Sequence, residues 1–179
     1  MLSVGLGLVL GAKLTAQWQP FTLQFVRSLR GQTVQVSIDG AKVKTTFAGK
    51  LAIRDRSLAR MSVCGNVRGP ISPGQFFRVK PIRSAQAGGR IQLAGNIVSK
   101  MFAAAQTDAQ CAGLQLAVWE AVEDGGLMPD FRSGHFQARG SDEALAWAAE
   151  YYQGIDTPGD ALYLWQGDGD GQSQFGPFV

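Results

Sequence analysis

Between residues 82 and 91 the hydrophobic pattern changes period, and this switch limits the fold more than any other feature of the chain. Ahead of it, apolar residues recur at every second position. In "TVQVSI" (33–38) and "KVKTTFAGKLAI" (42–53) the alternation is that of half-buried strands, with Val43, Thr45, Phe47, Leu51 and Ile53 on one face. The "DG" at 39–40 is a hairpin turn signal. "RMSVCGNV" (60–67) and "GQFFRVKPI" (74–82) read as two more strands around the Pro/Gly loop "RGPISPG". Residues 33–82 are therefore expected to form four or five antiparallel strands.

Beyond the switch the period is helical. In "GGRIQLAGNIVSKMFAAAQ" (88–106), Ile91, Ala94, Ile97, Val98, Met101 and Phe102 recur at that spacing. A second helix, "DAQCAGLQLAVWEAVED" (108–124), opens with a Thr107–Gln110 capping box and ends at "DGG". A short strand around "HFQARG" (135–140) precedes a third helix over 142–153, capped by Ser141, with Asp142 and Glu143 in its first turn and Gly154 as its stop. "ALYLWQ" and "SQFGPFV" read as closing strands. Strands, then helices, then strands again predict an α+β fold: an antiparallel β-sandwich or barrel-like body with an inserted helical subdomain.

The 179 residues, 45% of them apolar, suffice for one domain with a real core, expected over residues 17–179. The apolar run from Leu2 to Ala12 is too short to span a bilayer. It reads as a signal-peptide remnant over residues 1–16, with a buried first strand as the other reading. Export to the cell surface or medium follows from the first of these. Residues 1–100 hold 15 Lys/Arg against two acids, whereas residues 101–179 hold two Lys/Arg against twelve acids. The split is expected to reflect two complementary parts of one folded unit. Nucleic acid is not an expected partner, because the basic residues follow strand-like segments without a cluster or a binding signature.

Conventional sites find no support. His135 is the only histidine, so neither a zinc site nor a Ser/His/Asp triad is expected, and no cofactor is implied. "LGLVLGAKLT" has the wrong spacing for a P-loop. "DGDG" at 168–171 lacks the twelfth-position ligand of a calcium loop and reads as a solvated acidic turn. In an exported protein the two cysteines, Cys64 and Cys111, would ordinarily form one disulfide.

The second helix carries an anomaly. Its apolar arc collects Cys111, Leu114, Gln115, Val118, Trp119 and Val122, and the opposite arc collects Gln110, Gly113, Glu120 and Glu123. Gln115 thus interrupts an apolar stripe, where an amide must have its hydrogen bonds satisfied. Three roles are open: a core amide bonded to backbone, a side chain lining a pocket, or an acyl group whose nitrogen has been displaced by a cysteine sulfur to leave an internal thioester.

"LQLAVWEA" at 114–121, after the "AAAQ…AQCAG" run, resembles the Gln motif of bacterial thioester domains, the TQxA-type domains of Gram-positive surface adhesins. Such domains place their cysteine on a strand some tens of residues upstream, where this chain has Cys64 in "MSVCGNVRG". "ISPGQFFRV", "GHFQARGSDEALAWAAEYY" and "GQSQFGP" extend the likeness over residues 33–179. Two departures stand out. Val63 and Asn66 lie where the family often has an aromatic before the cysteine and an acid after it, and Cys111 lies four residues before Gln115.

The resemblance implies a Cys64–Gln115 thioester. Unreacted side chains or a Cys64–Cys111 disulfide rank second. A Cys111–Gln115 bond ranks third, because closure across one helical turn is strained. The implied function is covalent attachment without turnover, and not enzymatic catalysis. A partner amine, typically a lysine on a protein surface, attacks the Gln115 carbonyl and Cys64 leaves. His135 is a candidate assisting base, and Trp119 a candidate shield against water. The protein is expected to act as a monomer. The competing class is a secreted β-rich domain of the same fold that binds its ligand without a covalent bond. A transglutaminase-type enzyme comes last, since it needs a His and an Asp around the cysteine.

Overall fold

A computed structural model of the chain describes residues 21–55, 58–69, 71–155, 159, 161–165 and 173–176. The expected leader over residues 1–16 and the acidic turn at 168–171 lie outside these residues.

β1 (Phe21–Ile38) is 18 residues long and organises the sheet. It starts 12 residues before the alternating stretch at Thr33. One edge of β1 pairs with β2 (Lys44–Asp55), from Leu23↔Asp55 to Val36↔Lys44. Its first residues, Phe21–Gln24, also pair with β4 (Phe76–Arg83), and its last, Gln35–Ile38, with β5 (Phe136–Arg139). Between these stretches the register with β2 shifts, and Gly31 faces Gly49. A Cβ on either glycine would run into the other strand's backbone carbonyl, that of Ala48 or of Arg30. This close approach interrupts the alternation only in mid-strand; ahead of it Phe21, Leu23 and Phe25 alternate with Thr22 and Gln24. The hairpin turn lies where "DG" predicts it. Asp39 and Gly40 both have positive φ, 53° and 67°, and the Ala41 N–H donates to the Ile38 carbonyl at 2.8 Å.

β3 (Leu58–Cys64) pairs with β2 and β7 (Gln174–Gly176), and β6 (Leu162–Trp165) joins β7 to β4. The result is one antiparallel sheet of seven strands in the order β2-β3-β7-β6-β4-β1-β5, with the further β1–β2 pairing. The α+β class holds. The body is a single sheet and not the two packed sheets of a sandwich, and β1 is long enough to serve three partners, β2, β4 and β5.

Helices α1 (Ser84–Ala87), α2 (Gly89–Met101), α3 (Asp108–Glu123) and α4 (Asp142–Gln153) follow β4, with β5 between α3 and α4. They are not a separate subdomain. α3 packs on β1, β2, β3 and β5 as well as on α2 and α4. Its caps follow the sequence signals. Thr107 Oγ1 accepts from the Gln110 N–H at 3.1 Å, and Gln110 Oε1 accepts from the Thr107 N–H at 2.9 Å. Ser141 Oγ accepts from the Ala144 N–H at 3.1 Å and starts α4.

The two-arc view of α3 needs correction. The helix is buried all round, from Ala109 to Ala121 apart from Gln110, so Gly113 and Glu120 on the supposed outer arc are interior. Gly113 is a contact point for α4. A Cβ there would lie 2.6 Å from Trp147 Cβ and 2.9 Å from the Ala144 carbonyl oxygen. Buried Lys50 likewise departs from the expected alternation of β2. Its Nζ donates to the Phe102 and Ala105 carbonyls at 2.7 and 2.5 Å and lies 4.5 Å from the Phe102 ring centre. Among the described residues no helix is long and apolar enough to cross a membrane.

Candidate functional site

The β2–β3 ladder ends at Lys50↔Val63, one residue before Cys64. At Cys64 the next partner on that side of the chain is a side chain from α3. The Cys64 N–H donates to Gln115 Oε1 at 2.8 Å, and Gln115 Nε2 donates to the Cys64 carbonyl at 2.6 Å. The glutamine amide therefore extends the ladder by one step, and both ends of a 1%-exposed polar group are satisfied. Two positions 51 residues apart, which the sequence linked only through a family resemblance, are in direct contact.

Cys64, Gln115 and Trp119 line one wall of a cleft of about 280 Å³. Phe25, Phe47, Leu51, Val67 and Ile71 supply its apolar lining, and Ser28, Lys44, Thr46 and Asn66 join Cys64 and Gln115 to make it of mixed polarity. The Cys64 thiol donates to the Asn66 carbonyl at 2.8 Å. Burial pushes its pKa up to about 11. The Asn66 backbone contact, the Trp119 indole N–H and the charge of Lys44 pull in the opposite direction. Among the described residues the buried Trp119 Nε1 meets no acceptor at ordinary hydrogen-bond geometry, and its contact with the Cys64 sulfur is a weak one. The indole also packs edge-to-face on Phe136, with ring centres 6.2 Å apart.

The other sequence candidates lie elsewhere. Neither cysteine is in a disulfide. Cys111 is fully buried on the Lys50 side of α3, its Sγ 3.4 Å from the Ala105 carbonyl that Lys50 also engages, and it does not line the cleft. The two sulfurs thus face different carbonyls. His135 does not line the cleft either. Its Nδ1 faces Asp39 Oδ1, and its Nε2 lies 3.5 Å from Glu123 Oε2 and 3.2 Å from an Arg68 guanidinium nitrogen. Arg68 bonds Glu123 at 3.1 Å, so this surface cluster ties the loop after Cys64 to the end of α3.

Two buried polar residues were not among the candidates read from the sequence, Gln174 and Glu120. Gln174 on β7 is paired with Cys64 across the sheet. It is fully buried, accepts from Ser62 Oγ at 2.9 Å, and leaves its Nε2 without a partner among the described residues. Glu120, on a different face of α3 from Gln115, accepts from the Asp130 N–H at 2.8 Å through Oε1, while Oε2 has no partner among the described residues. Burial, with Asp124 and Asp130 adding repulsion, raises the Glu120 pKa to about 7. A helical-wheel projection cannot reveal Glu120, because it assumes one solvent face.

Among the described residues no group of three or more His, Cys, Asp or Glu side chains is arranged to hold a metal ion. A second cleft, of about 780 Å³, opens between β1, β5 and the 129–132 loop and contains none of the candidate residues. No protein-family model matches the chain, and no curated protein or solved structure matches it.

Proposed function

We propose that the chain is a thioester-type covalent binding domain, exported to act outside the cell, in which Cys64 and Gln115 form an internal thioester that captures an amine. The observation that carries this reading is the two-point contact between the 1%-exposed Gln115 amide and the Cys64 backbone, beside the Cys64 thiol at a cleft of mixed polarity.

The contact supplies the groups that bond formation needs. Sulfur adds to the Gln115 side-chain carbonyl carbon, and the carbonyl oxygen becomes an oxyanion. The Cys64 N–H already points at that oxygen from 2.8 Å, as a preorganised donor does. The departing nitrogen takes the thiol proton and leaves as ammonia. The new bond is neutral and contains no N–H donor, so it suits a site that excludes water. In the second step an amine nitrogen adds to the same carbon, the C–S bond breaks and an amide forms. The amine's proton passes to the sulfur. Because burial holds the Cys64 pKa near 11, the released group rests as a thiol at neutral pH and does not re-attack. Nothing regenerates the thioester, so the event occurs once per molecule.

Intact mass spectrometry of the native protein tests the proposal. A mass one ammonia below the sequence value, restored to the full value in Cys64→Ala and Gln115→Ala, supports it, and so does methylamine incorporation at Gln115. Full sequence mass with two titratable thiols overturns it. That outcome would favour a second reading, a non-covalent binding domain in which Gln115 is a core amide. The complete pairing of that amide with one backbone residue is the observation in its favour.

A further inference from the structure

The cleft is electrically one-sided. Among the described residues lining it, Lys44 is the only ionisable one apart from Cys64, and none is acidic. Lys44 is exposed at the start of β2, where its Cα is paired with that of Val36. No ion pair holds its side chain among the described residues. Its charge reaches the reacting sulfur, since it acts on the Cys64 thiol. An incoming group therefore meets a positive charge at the cleft and no lining carboxylate among the described residues.

We propose that Lys44 makes the cleft selective for a lysine flanked by carboxylates. The inference rests on the thioester reading and names the amine which that site prefers. The cleft, about 280 Å³, has room for the end of one side chain, so residues on either side of the attacking lysine stay at the rim with Lys44. A cationic flank adds repulsion to that of the lysine's own ammonium. An anionic flank offsets both and concentrates the partner at the mouth. Reaction requires the neutral amine, and the positive field also favours loss of its proton.

The test uses three short capped peptides, each with a single lysine flanked by glutamates, glycines or arginines. Adduct formation on the native protein is followed by intact mass at low and high salt. The expected order of rates is glutamate, then glycine, then arginine, with about three- to tenfold between neighbours at low salt and compression at high salt. In Lys44→Gln the spread narrows, and in Lys44→Glu the order reverses, each compared within its own variant. Equal rates for the three peptides on protein that shows the ammonia deficit overturn the selectivity and leave the thioester standing. An order that persists unchanged in both variants overturns the role of Lys44. Absence of the ammonia deficit from the native protein overturns the thioester reading, and the inference with it.

Discussion

Gln115 binds one residue, Cys64, at both ends of its amide: the carbonyl oxygen accepts from the Cys64 N–H, and the nitrogen donates to the Cys64 carbonyl. The pairing completes a strand's ladder, and under the proposed thioester chemistry it also aims a donor at the oxygen of the reacting carbonyl. Its structural part can be measured separately from its chemistry.

Gln115→Ala removes both hydrogen bonds, leaves the Cys64 N–H and C=O unpaired and opens a cavity. We expect a loss of about 2–4 kcal/mol in denaturant unfolding. Gln174 is the control, because it too is buried beside Cys64. Gln174→Leu removes a buried nitrogen that has no partner among the described residues, and is expected to retain the ammonia deficit that Gln115→Ala abolishes. Loss of the deficit in Gln174→Leu alone would transfer the acyl role to β7.

The buried thiol predicts a pH profile. In a Cys111→Ala background, alkylation of the Cys64 thiol (after release by methylamine where it is acylated) is expected to accelerate about tenfold per pH unit from pH 8 upward. The rise should continue until pH approaches the raised pKa of about 11. A plateau below pH 9 would show a thiolate more stable than this burial permits.

Glu120 predicts a pH dependence of stability. Its pKa is raised from 4.5 to about 7 in the folded chain. Between these values the folded state binds more protons than the unfolded state, so stability falls as pH rises through the window and stays lower above it. Glu120→Gln keeps the oxygen that accepts from Asp130 and removes the charge. It is expected to be more stable than wild type at pH 8, by about 1–3 kcal/mol, with the difference shrinking toward pH 4.5. Chemical unfolding at several pH values measures this. An equal difference between the two proteins at every pH would refute it.

Gly113→Ala tests the seat of α4. Helix propensity favours alanine by about 1 kcal/mol. The added carbon, however, meets Trp147 Cβ at 2.6 Å and backbone atoms of α4 at 2.9 and 3.0 Å, where a helix must shift to make room. We expect a net loss of about 1–3 kcal/mol and a lower thermal midpoint. A stabilised variant would show that α4 can move away without cost.

Much of the fold was legible from local chemistry. The Asp39–Gly40 turn, the Thr107–Gln110 capping box, the Ser141 cap and the two hydrophobic periods each depend on residues a few positions apart, and each is present. What local pattern did not show is that β1 runs unbroken from Phe21 to Ile38, because register shifts and two facing glycines interrupt the alternation between Phe25 and Gly31. Nor did it show the burial of Lys50, whose ammonium is satisfied by carbonyls more than 50 residues away.

The candidate site divides along the same line. By itself the sequence determined that Gln115 lies among apolar residues of a helix, and that two cysteines were available to meet it. Only the tertiary structure decided that α3 is buried on every side, that Cys111 turns toward Lys50, and that the end of β3 brings Cys64 against Gln115. Periodicity reports which way a side chain faces along its own element. Which strand end that side chain meets depends on sheet order and helix packing, and these arise from contacts across 51 residues of chain that no local pattern encodes.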